Sequence, residues 1–447
     1  MSKNKSRLPG RFAASYTFYC LANQSMWGLI NYFLLFFYTD VLVIPPAAAT
    51  VIFTIARVWD AINDPMMGVI CDTTKSREGK SRFWLKRMAI PGGLFLALTF
   101  ASPNFSTAIK VVWAGVTYIC MGMAQTALGI PNNALILTVV PDRADRVRLA
   151  QFGAVPIALV NAFIPAVTMP FVRSFGEDNM AKGFFVMAAI ISVLYAVSTL
   201  LIYKSTEGMD PDTSDSVDTQ TSEKKEKVGA LTMIKEGLTN KYGLLVILAS
   251  FCYLLLSGIM GGTLIYYFRY YVGNDGMMGI YSSTIVIGMF IGILSMHFFS
   301  KKFGNSTTCI IGCMIAVVAF GIRMVTKDQN TAAFAIAMVM TGWGSNFISN
   351  MLKQCNMDAA VWGKMCGINN SGVVLSLYTF AQKAGQAVSS VAAAGLLAIF
   401  NYTPGEVPSD TVVKLFYVEN IIFPIFLAFV ITFIMLFVRR MEARLSH

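Results

Sequence analysis

The sequence predicts an all-α polytopic membrane protein with about twelve transmembrane helices in two six-helix bundles. Of its 447 residues, 55% are hydrophobic and 13% are charged, about half the charged fraction of a soluble domain. Apolar runs of about 20 residues, each long enough to cross a hydrocarbon core of about 30 Å, recur from end to end. A water-soluble protein could not bury so much apolar surface, so lipid is the solvent for most of the chain.

The predicted spans follow the apolar runs in order. They cover roughly residues 14–38, 45–71, 85–103, 108–138, 150–173, 183–203, 240–268, 277–300, 307–325, 331–354, 368–400 and 415–438. Lys and Arg cluster at the N-terminus and in every second loop, whereas the intervening loops carry almost none. The positive-inside rule then places both termini and the middle loop in the cytoplasm, and we expect a multi-pass protein of the cell inner (plasma) membrane.

A polar segment, residues 205–227, interrupts the apolar pattern and contains no aromatic residue, which is typical of a flexible linker. We predict a six-helix bundle over 1–204, a cytoplasmic middle loop over 205–236 and a second six-helix bundle over 237–447. A faint internal repeat supports this division. NYFLLFFYTDV, followed by a span and CDTTKSREGKSR, is echoed by TLIYYFRYYVG, a span and HFFSKKFGNST. Repeated membrane halves are a transporter architecture.

Several function classes lack sequence support. The net charge of +11 does not indicate nucleic-acid binding, because the basic residues sit in short loops beside the spans. The sequence contains no Walker motif, nucleophile elbow or metal-ligand cluster, so neither an ATP-driven pump nor a hydrolase is indicated. We predict no enzyme activity, no cofactor other than a coupling ion, and no nucleic-acid partner.

The second span contains the run IARVWDAINDPMMG, with ionisable residues at membrane depth. Each such residue costs about 2.5–3.5 kcal/mol on insertion scales and therefore needs a reason. Asp60 and Asp64 are four residues apart on one helix face, where their charges repel until a cation arrives. Asn63 adds a neutral oxygen, and Pro65 leaves a backbone carbonyl without its helical donor. Hard cations such as Na⁺ bind several oxygen ligands, whereas a proton needs only a carboxylate.

Two other intramembrane charges are open to two interpretations. Arg57 could neutralise the aspartates as a purely structural partner, although one cation cannot balance two carboxylates. Lys383 lies near the middle of the eleventh span, where it could replace the cation while the acidic pair is empty, contact substrate, or form a structural ion pair.

Polar and aromatic stripes on four spans suit a neutral, hydroxyl-rich ligand such as a sugar. Interhelical amide hydrogen bonds could also produce them. The predicted substrate ligands are Gln24, Trp27, Asn31, Gln125, Gly129, Asn133, Trp343, Asn346, Tyr378 and Gln382.

The motifs YTDV, RVWDAINDPMMG, REGKSRFW, YICMGMAQTALGIP and TFAQKAGQA together resemble the glycoside–pentoside–hexuronide cation symporters, the melibiose permease-like family of the major facilitator superfamily. The resemblance extends over nearly the whole chain and implies the major facilitator superfamily fold. It implies a cation site at Asp60, Asn63, Asp64 and Thr126, with Na⁺ as the metal ion at the two aspartates and Li⁺ or H⁺ as substitutes. The family's lysine of the eleventh span falls on Lys383, which the resemblance implies is close to that site.

The sugar side departs from the family pattern. Gln24 and Gly129 stand where the melibiose permease branch has aspartates, Asn133 stands in place of a tryptophan, and Ala154 in place of an arginine. A melibiose-type galactoside is therefore not the expected substrate. Fewer carboxylates reduce repulsion of an anionic ligand, so an acidic sugar such as a hexuronide or glucuronide is a reasonable candidate.

The sequence thus predicts a monomeric secondary active symporter of the lipid bilayer that couples Na⁺ (or H⁺ or Li⁺) entry to uptake of a small-molecule sugar by alternating access. Two alternatives stay open: a cation-coupled lipid or lysolipid carrier of the same fold, and a membrane sensor that binds without transporting.

Overall fold

The computed structural model of the chain describes residues 9–176, 179–211, 240–274, 276–365, 371–404 and 406–442. Within these ranges every regular element is helical, which confirms the predicted all-α class. The chain divides into two compact units, Met1–Gln220 and Thr221–His447. Of the predicted middle loop, residues 205–211 are described and residues 212–236 lie outside the described part of the chain.

The described residues of the first unit form six long helices. They are α1 (Gly10–Phe36), α2 (Pro46–Thr73), α3 (Lys80–Thr99), α4 (Thr107–Val139), α5 (Arg143–Gly176) and α6 (Met180–Ser205). A π-helical turn, Phe37–Val41, continues α1. Within this unit α3 packs on α4 and α6, α1 packs on α5 and α6, and α2 packs on α4.

The second unit also contains six helical rods among its described residues. They are α7 (Lys241–Tyr266), α8 (Met277–Phe303), α9 (Asn305–Thr326), α10 (Thr331–Met365), α11 (Ser371–Ile399), and a last rod made of α12 (Asp410–Tyr417) and α13 (Phe423–Glu442). A π-helical turn, Tyr267–Val272, continues α7, and another, Val418–Ile422, joins α12 to α13. In this unit α10 packs on α8 and α9, and α7 packs on α11 and α13.

Eight of these rods are long and apolar enough to cross a membrane by length and composition. The segments are Thr107–Val139, Arg148–Gly176, Met180–Ser205, Lys241–Val272, Met277–Phe303, Asn305–Thr326, Thr331–Ala359 and Asp410–Glu442. The remaining helices α1, α2, α3 and α11 have 20 to 29 residues, so length does not separate them from the eight. Composition does, because the most apolar stretches of these four helices are more polar or more highly charged than those of the eight.

A carboxylate from the end of the first unit caps the N-terminus of α3. Asp210 Oδ2 accepts hydrogen bonds from the backbone N–H groups of Ser81 (2.9 Å) and Arg82 (3.0 Å). Gly79, the residue before the first residue of α3, has φ +89°, and a side chain at this position would collide with the Asp210 carboxyl group. The first N–H groups of a helix have no intrahelical partner and carry a partial positive charge, so an anion placed there stabilises the helix.

The second unit repeats this cap at the N-terminus of α9. Glu442 Oε1 accepts from the backbone N–H of Asn305 (2.8 Å), and Oε2 accepts from that of Ser306 (3.0 Å). Gly304 precedes them with φ +81° and lies against the same carboxyl group. The two sequence segments that echo each other therefore have the same local structure. In both, the helix is preceded by a residue with positive φ, a backbone conformation that favours glycine.

Removing the Asp210 carboxylate tests the cap. Asp210→Ala deprives two buried N–H groups of their acceptor, and we expect a loss of about 1–2 kcal/mol in the free energy of unfolding. Glu207→Ala removes an exposed acid from the same loop and should leave stability unchanged. Thermal unfolding of the two purified variants makes the comparison, and equal melting temperatures would contradict a capping role.

Candidate cation and substrate site

The acidic pair interrupts the buried stripe of α2. Asp60, Asn63 and Asp64 occupy the helical positions between two apolar groups that face α4. The buried apolar members are Ala49, Ile52, Phe53, Ala56, Met67 and Cys71. The charges therefore lie on the packed side of the helix, where each needs a polar partner.

Asp60 has a cation on its own helix and a glycine opposite. Arg57 Nη1 lies 3.4 Å from Asp60 Oδ2. A Cβ atom added at Gly122 of α4 would lie 3.2 Å from Asp60 Oδ1, which is closer than most real Cβ contacts. Gly122 thus makes room for the carboxylate between the two helices.

Asp64 meets a hydroxyl one turn further along both helices. Thr126 Oγ1 donates a hydrogen bond to Asp64 Oδ1 over 2.9 Å. Asn63 is buried (4% exposed), and its Nδ2 has no hydrogen-bond partner among the described residues. Pro65 lies inside α2, so the carbonyl of Ala61 lacks its helical donor in the turn between the two aspartates.

The contacts between α2 and α4 increase together in residue number, so the two helices run parallel. Phe53 lies edge-on to Tyr118 with ring centroids 5.6 Å apart, before the level of Asp60. Beyond Asp64, Met67 and Cys71 pack with Ala127. The oxygen-rich turn is therefore bounded by an aromatic contact on one side and an aliphatic cluster on the other.

Three formal charges lie close together in this turn. Two carboxylates and one guanidinium have a formal sum of −1 when all are ionised. Arg57 can balance one aspartate, so the structural interpretation of Arg57 accounts for half of the pair. The arrangement brings carboxylate, hydroxyl and amide oxygens from α2 and α4 together within one helical turn.

Two predicted substrate ligands are engaged in amide hydrogen bonds inside the first unit. Gln24 Nε2 donates to Asn161 Oδ1 of α5 over 2.7 Å, and Gln125 Nε2 donates to Asn23 Oδ1 over 2.7 Å. The Tyr195 hydroxyl of α6 donates to Gln125 Oε1. These bonds join α1, α4, α5 and α6, so the interhelical alternative describes both glutamines in this structure.

Other predicted ligands of the first unit are more open. Trp27 is half-buried, and Asn31 and Asn133 are exposed. A Cβ atom added at Gly129 would meet no atom within 4 Å, so there is space beside this residue. Asn132, next to Asn133, is buried, and its Oδ1 has no partner among the described residues.

The predicted ligands of the second unit are used partly for packing. Trp343 Nε1 donates to Ser295 Oγ of α8 over 3.1 Å, and Asn346 lies against Gly292 of the same helix. Gln382 Nε2 donates to the Tyr378 hydroxyl over 3.2 Å on α11. Lys383, the next residue, has an exposed side chain.

The sequence reasoning missed Gly122, Asn23, Asn161 and Tyr195. An amide next to Gln24 in an apolar span was a usable signal for Asn23, and an amide in the apolar middle of α5 was one for Asn161. Gly122 and Tyr195 offered no signal, because glycine and tyrosine are ordinary residues of membrane helices.

Comparison with known proteins finds a family model and several relatives that match most of the chain. A family model described as MFS/sugar transport protein matches residues 15–439. An isoprimeverose transporter of Lactiplantibacillus pentosus is 26% identical over 411 residues, which cover 91% of this chain and 84% of that protein. The glucuronide carrier protein homolog of Escherichia coli is 21% identical over 413 residues (91% and 87%), and the inner membrane symporter YicJ of the same species is 25% identical over 391 residues (86% and 82%).

Solved structures resemble the fold at low sequence identity. The nucleoside transporter NupG matches with a TM-score of 0.63 and 10% identity, covering 96% of this chain and 99% of its own. A bacterial homologue of the iron transporter ferroportin, in its inward-facing state, matches with a TM-score of 0.64 and 12% identity, covering 98% and 99%. At this identity the likeness concerns the fold, which is that of major facilitator transporters.

The Thr126–Asp64 bond can be tested by a pair of isosteric changes on α4. Thr126→Val removes a donor to a carboxylate, and we expect a loss of about 1 kcal/mol in stability because such charge-assisted bonds are stronger than neutral ones. Thr117→Val is the matched control, since Thr117 Oγ1 donates to the Trp113 carbonyl of its own helix (2.8 Å). A melting temperature equally low in both variants would contradict a special role for Thr126.

Proposed function

Since this chain belongs to the MFS/sugar transport protein family, of the glycoside–pentoside–hexuronide symporter type, we propose that it is a secondary active symporter that couples Na⁺ entry to uptake of a sugar or glycoside by alternating access. It is a multi-pass membrane transporter, and its relatives are transporters rather than enzymes. We propose the inner membrane as its location, with both termini in the cytoplasm, because of the basic loops.

The observation that carries the cation proposal is the oxygen-rich turn between α2 and α4. Asp60, Asn63, Asp64 and Thr126 offer oxygen atoms at two neighbouring levels, and two of these four residues are carboxylates. Na⁺ binding would remove the repulsion between the carboxylates and fix α2 on α4. Li⁺ or H⁺ would neutralise the same charge.

Coupling then follows from linkage. If Na⁺ tightens sugar binding by some factor, sugar tightens Na⁺ binding by the same factor. Within this proposal Lys383 either takes the place of the cation while the acidic pair is empty or contacts the substrate. A charged lysine inside a membrane helix costs free energy, and such residues usually have a functional role.

For the substrate, we propose a sugar other than a melibiose-type galactoside, with acidic glycosides as the first class to test. Gln24 and Gly129 contribute no negative charge, and the glutamine is bound to Asn161. Names of the relatives include a glucuronide carrier and an isoprimeverose transporter, which favours a sugar over the lipid or lysolipid alternative.

Sodium coupling predicts that sugar uptake into vesicles rises under an inward Na⁺ gradient. Asp64→Asn should reduce the Na⁺-stimulated part at least about tenfold, corresponding to about 1.4 kcal/mol of lost cation binding. Glu207→Gln, which changes an exposed acid outside the site, should not. Equal uptake with and without the gradient, and an unimpaired Asp64→Asn variant, would remove the acidic pair from the mechanism.

The space at Gly122 gives a finer test. Gly122→Ala places a methyl group 3.2 Å from Asp60 Oδ1, whereas Gly115→Ala, two turns earlier on α4, places one 3.6 Å from Ile52 in ordinary contact. We expect the apparent Na⁺ affinity to fall about threefold or more in the first variant only, which is roughly 0.7 kcal/mol. Na⁺ titration of the melting temperature measures it, and matching curves would argue against Asp60 as a ligand.

A ligand screen tests the substrate class separately from the ion. Thermal stabilisation by a panel of neutral and acidic glycosides, each with and without Na⁺, should identify a ligand whose effect grows with Na⁺. Stabilisation by lysolipids but by no glycoside would favour the lipid alternative.

A further inference from the structure

The second unit contains a buried acid that the proposed function does not use. Glu419 lies in the π-helical turn that joins α12 to α13, and only 3% of its surface is exposed. Neither carboxyl oxygen has a hydrogen-bond partner among the described residues. Wide π-helical turns inside membrane helices occur frequently at functional sites.

The polar side chains around Glu419 have already used their donors. Thr263 of α7 is the polar neighbour of the carboxyl group, but its hydroxyl donates to the Ile259 carbonyl over 2.9 Å. Asn420 Nδ2 donates to Thr263 Oγ1 (3.2 Å) and to the Phe416 carbonyl (3.0 Å). Asn420 Oδ1 has no partner in the described part of the chain. This pocket therefore offers acceptors and lacks donors.

The nearby charged and titratable groups balance one another. The π-helical turn packs against α7, α9, α12 and α13. Arg323 of α9 is fully buried and donates from Nη2 (2.8 Å) and Nε (3.0 Å) to Asp328, which also accepts from the Tyr267 hydroxyl (2.6 Å). Arg323 Nη1 donates to the Asn420 carbonyl over 3.3 Å. Arg323 and Asp328 pair with each other, and Lys414 of α12 has an exposed side chain. Among the described residues of this unit no other charged side chain is buried, so Glu419 has no buried counter-ion.

An ionised carboxylate buried without a donor or a counter-ion is strongly disfavoured, and the group takes a proton instead. We propose that Glu419 is a proton-binding site of the second unit: it holds a proton while it is buried as seen here and releases it to water when the turn opens. This site is distinct from the α2–α4 oxygen cluster and does not depend on Na⁺ or sugar binding there.

The neutral, protonated acid supplies the donor that this pocket lacks. Its O–H can donate to an acceptor, whereas the ionised acid has no proton to donate and leaves Asn420 Oδ1 and both of its own oxygens without a donor. Protonation therefore holds the last rod against α7, and loss of the proton weakens that contact. A proton bound here makes transport sensitive to pH even after the acidic pair of α2 is removed.

Infrared difference spectroscopy of the purified full-length protein tests the proposal directly. At pH 6 the wild-type protein should show a protonated-carboxyl C=O band that fades as the pH rises and is absent from Glu419→Gln. Glu406→Gln, which changes an exposed glutamate of the same unit, should keep the band. Asp64→Asn should keep it as well, which separates this site from the proposed sodium site. Glu419→Asp should keep a carboxyl band at a shifted frequency, so the assignment survives if the glutamine variant cannot be purified.

Stability gives a second measurement. The folded protein holds a proton that the unfolded chain has lost, so the wild-type melting temperature should fall as pH rises, and this slope should be smaller in Glu419→Gln. Wild-type, Glu419→Gln and Glu419→Asp spectra that coincide in the carboxyl region, with equal pH slopes of melting, would overturn the proposal. Failure of Na⁺ coupling at Asp64 with the Glu419 band intact would leave this inference standing.

Discussion

The cost of placing charge inside apolar helices governs how this protein is arranged. The two units differ in the partners that they provide for the charged groups within their helices. In the first, Asp60 has Arg57 within 3.4 Å and Asp64 accepts a hydrogen bond from Thr126. In the second, Arg323 and Asp328 form a fully buried ion pair, and neither carboxyl oxygen of Glu419 has a hydrogen-bond partner among the described residues. The proposed sodium site and the proposed proton site both lie at acidic residues within apolar helices.

The two units share local structures that a sequence comparison detects only faintly. Both begin their third helix at a positive-φ glycine and cap it with a carboxylate that arrives more than a hundred residues later. Both end their first helix in a π-helical turn. Asp210 and Glu442 differ in length and in their surrounding sequence, so what is repeated is a geometric solution for a helix terminus, and the individual letters are free to vary.

Hydrophobic runs alone predicted the helical class and most helix bounds, because the chain must satisfy its peptide groups within helices wherever lipid surrounds it. The acidic pair was predictable for the related reason that charge in such a run is costly. Partners across helices were not. The role of Gly122 is visible only once Asp60 is seen to lie opposite it. The hydrogen bond from Gln24 to Asn161 depends on how α1 packs against α5. Sequence periodicity specifies which face of a helix is polar, but not which other helix that face meets.

The parallel register of α2 and α4 has a mechanical consequence. Residues on the facing sides of both helices recur about once per turn. A slide of one turn, about 5.4 Å, would therefore be the smallest shift that again places side chains of α2 opposite side chains of α4. Such a slide in one direction would put Ile130 opposite Asp64, and in the other it would put Tyr118 opposite Asp60, each time exchanging a small or polar neighbour for a bulky one. The side chains along this contact therefore oppose a slide of α2 along α4, and any movement of one helix along its axis has to carry the other with it.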